Sequence, residues 1–291
     1  MKFSFVSLVT KLTLATSVAG ALVGCDDPTY PTPTPVTTSS VGQAQVLVVN
    51  AAPGTTGTSI TLDNAAFGSA LPYLGVSTAT SVAAGLRLFI YNEPTNIPAT
   101  PVVTPPPTIP LPVVTVARPV VSRAAFLGGT NYTTFITDLP TRAYAAPVTA
   151  TSDQGGIRLV TLTDNLAPPA VATNAKIRFV NLAPTATGGS TTYGIFNSLT
   201  QAPLFSAVPI RAYRATTNTS TATPPVTTTF ANFTEVAAGT YTLDVRSVAT
   251  TPLPGTLFPT TFVAGKIYTL YTRGIAGNTT TPLGISVVTH N

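Results

Sequence analysis

Few residues in this chain could carry out chemistry. Its 291 residues include one cysteine, Cys25, and one histidine, His290. A Ser-His-Asp relay or a Cys-His pair would depend on a penultimate residue at a terminus that we expect to be frayed. One cysteine cannot form an internal disulfide, and no further Cys or His remains to build a zinc site. GxSxG and GxGxxG patterns are absent, so the sequence predicts neither metal nor cofactor.

Glycoside hydrolysis needs only two carboxylates and must be weighed separately. After the N-terminal region the acids are Asp63, Glu93, Asp138, Asp153, Asp164, Glu235 and Asp244. Strand alternation places Asp244 outward, and Asp63 with Asn64 is typical of a turn. No two acids have the spacing of a catalytic pair. The sequence therefore predicts a protein that is not an enzyme, with a glycan-acting hydrolase as the alternative.

Two binding hypotheses use the remaining polar and aromatic residues. Asp138, Asp153 and Asp164 could lie at a domain junction, where some sandwich arrays bind calcium, but they lack a DxD pattern and the sequence favours ordinary turn chemistry for them. Carbohydrate binding would need exposed aromatic rings, and the chain has no Trp. The loop tyrosines that could serve, or could simply cover core edges, are Tyr30, Tyr73, Tyr144, Tyr193 and Tyr213.

Charge argues against nucleic acid as a partner. The chain has 14 Lys and Arg, 9 Asp and Glu, and a formal charge of +5. The basic residues are scattered singly without an aromatic platform, so the positive balance reflects scarce acid. Charged residues form only 8% of the chain against roughly a quarter in ordinary soluble domains. We expect a surface rich in hydroxyl groups.

The N-terminus has the pattern of a secretory signal. Lys2 and Lys11 precede an uncharged stretch, 12–24, that suits a signal-peptide core and is short for a membrane span. A transmembrane anchor starting at Phe3 would place Lys11 in hydrocarbon, which is unfavourable. We therefore predict a signal peptide over 1–24.

The last residues of this stretch and the cysteine after it resemble the lipobox of bacterial lipoproteins: Leu22, Val23, Gly24 and Cys25. The resemblance implies a diacylglycerol on Cys25 and firm attachment to a membrane. Asp26 and Asp27 resemble the signal that sends Bacteroidota lipoproteins to the cell surface. In other Gram-negative groups an Asp in the second position is associated with inner-membrane retention. The implied location is the bacterial cell envelope, with the outer membrane and its surface as the expected site and the leaflet left open.

Residues 25–43 predict a disordered Pro/Thr-rich stalk. Pro28, Pro31, Pro33 and Pro35 favour extended polyproline II, which gives a spacer of about 50 Å. Beyond it, four patterns occur twice in the same order, namely AQVLVVNAAP with AKIRFVNLAP, VAAG with VAAG, FLGGTNYT with FVAGKIYT, and GIRLVT (156–161) with GISVVT (284–289). These matches predict two domains, 44–163 and 175–291, joined by a linker at 164–174.

Each domain has the pattern of half-buried strands. Ile177 and Phe179 alternate with Lys176 and Arg178, and no stretch shows sustained helical spacing. We predict an all-β protein of two tandem immunoglobulin-like antiparallel sandwiches, with about seven strands each. The glycines of both VAAG patterns, Gly85 and Gly239, are expected at positive φ. Tyr132 and Tyr268 could pin a loop as a tyrosine corner does, or could be plain core residues.

Four segments together resemble the bacterial domain-of-unknown-function 4397 family, namely "AKIRFVNLAP", "VAAGTYTLDVR", "FVAGKIYTLYTRG" and "LTDNLAPP". The resemblance implies tandem β-sandwich repeats in a secreted or lipid-anchored envelope protein, and no catalytic residues. We predict a lipid-anchored, non-catalytic envelope protein with a structural, adhesive or ligand-binding role. The binding alternative is an accessory module that captures glycan or peptide for a surface complex, so the expected partners are the membrane and glycans or envelope proteins.

Overall fold

The structure is a computed structural model that describes residues 42–93, 120–142, 155–212, 215–218, 226–247 and 251–291. Residues Gly42–Asn291 form one compact unit. The described residues form strands and turns and no helix, which confirms the predicted all-β class. Among them no helix able to cross a membrane is found. The signal peptide, the lipobox with Cys25 and stalk residues 25–41 lie outside the described residues. Gln43, predicted as the last stalk residue, instead belongs to the first strand, where it pairs with Ala83.

The first sandwich is built from two four-stranded sheets, β4-β1-β7-β8 and β3-β2-β5-β6. Its strands are β1 (Gln43–Asn50), β2 (Ser59–Leu62), β3 (Ala65–Ala66), β4 (Thr80–Ala83), β5 (Gly85–Asn92), β6 (Val120–Phe126), β7 (Asn131–Thr137) and β8 (Arg158–Asp164). Alternate residues of β1 and β5, among them Val46, Val48, Phe89 and Tyr91, meet between the sheets as one buried core. Period-two alternation thus places one face of each sheet in the core.

The second sandwich repeats this plan with sheets β14-β9-β17-β18 and β11-β10-β15-β16, and a hairpin β12-β13 is added. Its strands are β9 (Asn174–Asn181), β10 (Thr192–Asn197), β11 (Pro203–Pro209), β12 (Ala215–Asn218), β13 (Val226–Thr229), β14 (Thr234–Ala237), β15 (Gly239–Arg246), β16 (Phe258–Phe262), β17 (Ile267–Arg273) and β18 (Gly284–Thr289). Its core includes Ile177, Phe179, Leu243 and Phe262. Each sandwich also contains one parallel pair, β1 with β7 and β9 with β17, which differs from the purely antiparallel expectation.

The strand registers show which residues of the two sandwiches are equivalent. Ala44 pairs with Val82 as Ala175 pairs with Val236, and Gly85 pairs with Phe126 as Gly239 pairs with Phe262. These registers agree with three of the four sequence matches.

The fourth match is displaced by two residues. Tyr132 pairs with Thr163 where its equivalent, Tyr268, pairs with Thr289. Matching GIRLVT to GISVVT would instead align Thr161 with Thr289. A shift of two leaves every side chain on the same face of the sheet, so alternation alone could not reveal it. By strand register, the residue equivalent to Asp164 is His290.

The turns follow the predicted glycine and Asx chemistry. Gly85 and Gly239 have φ of 115° and 154° at the start of β5 and β15, as predicted. Asp63 and Asn64 have φ of 48° and 69° between β2 and β3. Two successive residues at positive φ are characteristic of a type I′ hairpin turn, which Asp and Asn tolerate well.

Tyr132 and Tyr268, which occupy equivalent positions in the two sandwiches, form corners as well as core contacts. The Tyr132 hydroxyl accepts a hydrogen bond from the Leu127 backbone N–H at 3.0 Å, and the Tyr268 hydroxyl accepts one from the Val263 N–H at 3.1 Å. Each ring lies in its core against a phenylalanine, Phe126 or Phe262. The corner interpretation is therefore correct in both sandwiches, and each bond spans five residues.

Replacing Tyr132 or Tyr268 with Phe should lower the free energy of unfolding by about 1 kcal/mol each, because one part-buried N–H loses its acceptor. The two losses should add in the double variant, since the sites share no partner. Urea unfolding of residues 42–291 measures both. Tyr241→Phe is the control, because the Tyr241 hydroxyl donates to the Ala237 carbonyl at an exposed position. A loss no larger than the control's would contradict a stabilising corner.

Candidate functional site

The two sandwiches bury a face of one sheet from each against the other. A third hydrophobic cluster joins β1, β7 and β8 of the first sandwich to β9, β17 and β18 of the second; it contains Val49, Ala51, Phe135, Val160, Leu162, Val180, Leu182, Tyr271 and Val288. Equivalent residues meet across it. Phe135 and its equivalent Tyr271 have ring centroids 5.3 Å apart. The contact is therefore of the isologous type that a symmetric dimer uses, here within one chain.

This contact changes the prediction that β9 is a half-buried strand. Arg178 does lie on the face of β9 opposite the core residues Ile177 and Phe179, but that face packs on the first sandwich, and Arg178 is 0% exposed. Alternation predicts which face a residue occupies and not whether another sheet covers that face. The equivalent position in the first sandwich is Leu47, so the charge at this site belongs to the second sandwich alone.

Arg178 is held by an ion pair that crosses the contact. Its Nη2 donates to Asp164 Oδ1 at 2.5 Å, its Nε donates to Thr269 Oγ1 at 2.7 Å, and its Nη1 donates to the Thr163 carbonyl. The Phe233 ring covers the guanidinium at 4.5 Å. Burial lowers the pKa of Arg178, and the Asp164 carboxylate opposes that shift. Each of the three guanidinium nitrogens thus donates a hydrogen bond, and the Phe233 ring covers the guanidinium plane.

His290 completes this network, and its terminus is not frayed. Its backbone N–H donates to the Ile267 carbonyl at 3.0 Å, and its ring Nε2 lies 2.7 Å from Thr269 Oγ1. Its Nδ1 is 3.9 Å from Asp164 Oδ2, and the side chain is only 3% exposed. Burial lowers the pKa of His290 to about 4; Asp164 opposes the shift and Arg178 adds to it.

The network contains the three groups of a catalytic relay, with Thr269 in the position of the nucleophile, His290 in that of the base and Asp164 in that of the orienting acid. The geometry does not suit acyl transfer, however. Thr269 is 0% exposed, so its hydroxyl cannot reach a substrate carbonyl, and it already accepts the Arg178 Nε–H. The equivalent pair in the first sandwich is Thr133 with Asp164, whose Oγ1 and Oδ2 are 2.7 Å apart. The two hydrogen-bonded pairs occupy equivalent positions on equivalent strands of the two sandwiches. This equivalence indicates a structural role in the contact.

A second buried acid, Asp138, ties the other end of β7 to the second sandwich. Its Oδ2 accepts from Arg211 Nη1 at 2.8 Å and lies 3.1 Å from Arg142 Nε. Burial raises the pKa of Asp138, an effect opposed by Arg211, Arg142 and Arg158. Asp138 also holds a φ of 73° and accepts from the Leu139 N–H.

Asp138 and Asp164 therefore both lie at the junction, as the calcium hypothesis required. Each carboxylate is bound by arginine rather than left open to a cation, and Asp153 lies outside the described residues. Within the ranges that the structure describes, no group of three His, Cys, Asp or Glu side chains could share a metal ion.

The other described acids are engaged one by one. Asp63 pairs with Arg87, Glu93 accepts from the Thr58 hydroxyl, and Glu235 accepts from the Ala170 N–H. Asp244 lies on the face opposite the core, as predicted, and it is buried there at 0% exposure. Arg246 donates to both of its carboxylate oxygens, and the Phe196 ring covers Arg246.

The tyrosines proposed as a sugar platform do not form one among the described residues. Tyr193 belongs to β10 and is buried in the second core, which corrects its expected place in a loop. Tyr73 is half-buried, and Tyr30, Tyr144 and Tyr213 lie outside the described residues.

A shallow polar groove borders the buried network at the surface. It consists of two adjoining depressions of about 240 and 280 Å³ that share Thr163, Ala231 and Asn232. Thr161, Asn165, Lys176, Phe230 and Phe233 complete most of its lining. Hydroxyls, amides and a ring are the groups that a sugar can hydrogen-bond and stack on. Sequence reasoning missed this site, because its residues come from β8, β9 and the segment before β14 and share no motif.

Comparison with known proteins assigns no family. No family model matches the chain, and no curated protein matches it. The solved structures that match include two that are each named a "putative cell adhesion protein", one from Bacteroides eggerthii and one from Bacteroides uniformis. They are 10% and 14% identical, cover 85% of this chain and 96% and 97% of their own, and have TM-scores of 0.19 and 0.18. Likeness at this level assigns neither a fold nor a function.

Proposed function

We propose that this protein is a non-catalytic, lipid-anchored protein of the bacterial cell envelope with a structural or adhesive role. The observation that carries the proposal is Cys25, the only cysteine of the chain, placed directly after an uncharged signal-like stretch in the sequence LVGC. We further propose membership of the domain-of-unknown-function 4397 family and location at the outer membrane surface, on the residue patterns and acidic residues given above.

The described part of the chain supports a non-catalytic role through the state of its polar groups. Its buried charged pairs, Arg178 with Asp164 and Arg211 with Asp138, join one sandwich to the other. Groups committed to such pairs stabilise an arrangement and are poorly placed to bind and release substrate. A rigid pair of sandwiches on an anchored spacer fits a protein that presents a surface.

Replacement of Cys25 with Ala tests the anchor. In the native host the wild-type chain should incorporate an alkyne-labelled fatty acid and partition into detergent micelles, because two acyl chains hold it in the membrane. The variant should lose the label completely and should run as the larger, unprocessed precursor. Immunoblots of fractionated cells give both results.

Thr38→Ala is the matched control, since it alters the same N-terminal region without touching the lipobox. It should behave as wild type. Incorporation of the fatty-acid label by the Cys25→Ala variant, with unchanged processing, would contradict the lipoprotein hypothesis. Protease treatment of intact cells then reports whether the anchored protein faces outward.

The polar groove favours a second candidate, capture of a glycan. Asn232 is exposed at its centre, and the lining presents amide and hydroxyl groups beside Phe233. Glycan-array binding by residues 42–291 should fall at least tenfold in Asn232→Ala and stay unchanged in Thr240→Ala, an exposed polar control on another sheet. Absence of binding across the array, or equal loss in both variants, would remove this candidate.

A further inference from the structure

One outer sheet face of the first sandwich is apolar although no described element packs on it. On β5, the core residues Phe89 and Tyr91 alternate with Leu86, Leu88 and Ile90, which therefore point away from the core. Leu86 is 65% exposed. On the neighbouring β6, Val121 pairs with Ile90 and is 57% exposed. Leu127, directly after β6, is 68% exposed. We call Leu86, Leu88, Ile90, Val121 and Leu127 the apolar patch.

The second sandwich provides an internal comparison for this patch. Its strand β15 has the same register with β16 as β5 has with β6. At the positions of Leu86, Leu88 and Ile90 it carries Thr240, Thr242 and Asp244. The same fold therefore forms with a polar outer face. The apolar residues on β5 are not required by the sandwich, and an exposed apolar face of this kind marks a contact surface.

The chain leaves for its N-terminus beside this patch. Gly42, the first described residue, accepts a hydrogen bond from the Ala84 N–H with its carbonyl, and Gln43 accepts one from the Gly129 N–H. An added Cβ on Gly42 would lie 2.9 Å from the Gly128 Cα. Ala84 is two residues from Leu86, and Gly128 follows Leu127. The described chain thus begins against residues that adjoin Leu86 and Leu127 in sequence, the two most exposed leucines of the patch.

The number of residues between Cys25 and Gly42 limits how far the first sandwich can lie from a membrane that holds Cys25. The sixteen residues 26–41 span at most about 55 Å when fully extended, and any shorter path brings Gly42 closer to Cys25. If Cys25 carries lipid, the end of the molecule with Leu86 and Leu127 is the end tethered to the bilayer. The exposed Arg123 pairs with Leu88 across β5 and β6, so its guanidinium lies beside the patch. A cation next to exposed leucines suits a lipid surface with anionic headgroups.

We propose that the apolar patch is a membrane-contacting surface that lies on the lipid bilayer while Arg123 contacts headgroup phosphates. The proposal rests on the proposed lipid anchor at Cys25, which supplies the tether. It assigns the two sandwiches an orientation, with the first sandwich towards the membrane. The hydroxyl-rich face of β15 is then left clear of this contact.

A single introduced cysteine tests this contact, because the wild-type chain has no cysteine besides Cys25. The full-length lipidated protein, as Leu86→Cys, is labelled with an environment-sensitive fluorophore and reconstituted into vesicles of phosphatidylethanolamine and phosphatidylglycerol. The matched control is Thr240→Cys at the equivalent, exposed position of the second sandwich. We expect the Leu86 label to shift to the blue and to be quenched severalfold by lipids brominated in their acyl chains, and the Thr240 label to stay in water.

The outcomes separate this inference from the anchor on which it rests. If wild-type protein takes up the thiol label at Cys25 and does not float with vesicles, the anchor proposal fails. If the protein floats but the Leu86 label remains in water, the anchor stands and the membrane contact is overturned. Shielding of the Leu86 label without vesicles would also overturn it, because another part of the chain or a second copy would then occupy the patch.

Discussion

Replacing Asp164 with Asn should lower the free energy of unfolding of residues 42–291 by about 3 kcal/mol, the low end of the range for breaking a buried ion pair. The Arg178 guanidinium is fully buried, and Asp164 is its one carboxylate partner in the described structure. The substitution removes the negative charge while it keeps the side-chain shape. The loss therefore measures an uncompensated buried cation rather than a cavity.

Asp63→Asn is the matched control for this measurement. Asp63 pairs with Arg87 at 3.2 Å, but the two side chains are 46% and 26% exposed. Solvent screens such a pair, so its neutralisation should change stability by at most about 1 kcal/mol. Asn also tolerates the positive φ at this turn position. Equal effects of the two substitutions in urea unfolding would contradict a buried, energetically coupled pair at Asp164.

A double variant distinguishes two causes of the stability loss in Asp164→Asn. The loss can come from the unpaired charge left on Arg178 or from the absence of a stabilising ion pair. Arg178→Leu introduces the residue that the first sandwich has at the equivalent position, Leu47. Combined with Asp164→Leu, it replaces the ion pair with apolar side chains beside the cluster that contains Val180 and Leu162. Such replacements are often neutral or stabilising. We expect the double variant to recover most of the stability that Asp164→Asn loses.

The sequence was sufficient to predict the local structure of each sandwich. Alternation along KIRFVN predicted which side chains enter the core, and Ile177 and Phe179 do so. Gly85 and Gly239 take the predicted positive φ because the backbone reverses there between two strands. These features depend on neighbours in sequence or on the partner strand, and they were visible as short repeated patterns.

The contact between the sandwiches could not be predicted in the same way. The pattern around Arg178 predicted a half-buried strand, and His290 was expected at a frayed terminus, because a single strand carries no information about a second sheet on its outer face. The repeat did contain a signal, since Val49 with Val180 and Phe135 with Tyr271 are apolar at equivalent outward positions. Outward apolar residues that recur in both halves of a duplicated chain indicate a face that each half buries against the other.

Acidification should destabilise the protein through His290, the only histidine of the chain. Burial holds the folded-state pKa of His290 at about 4, below its ordinary value of 6.5. Between these values the unfolded chain binds a proton that the folded chain does not. The contribution of neutral His290 to the free energy of unfolding is therefore fully retained above pH 6.5. It is lost as the pH falls towards 4, by about 3 kcal/mol in total. Stability is lost because protonation places a charged imidazolium in the buried network.

Two measurements on residues 42–291 check this expectation. The NMR signal of the single histidine ring should titrate near pH 4. Urea unfolding at pH 7 and pH 4 should show a loss about 3 kcal/mol larger for wild type than for His290→Gln, whose amide can still accept from the Thr269 hydroxyl. Taking this difference removes the titration of Glu235 and Asp138, whose pKa values shift in opposite directions. A ring that titrates near 6.5 would mean that His290 is not buried between Thr269 and Asp164.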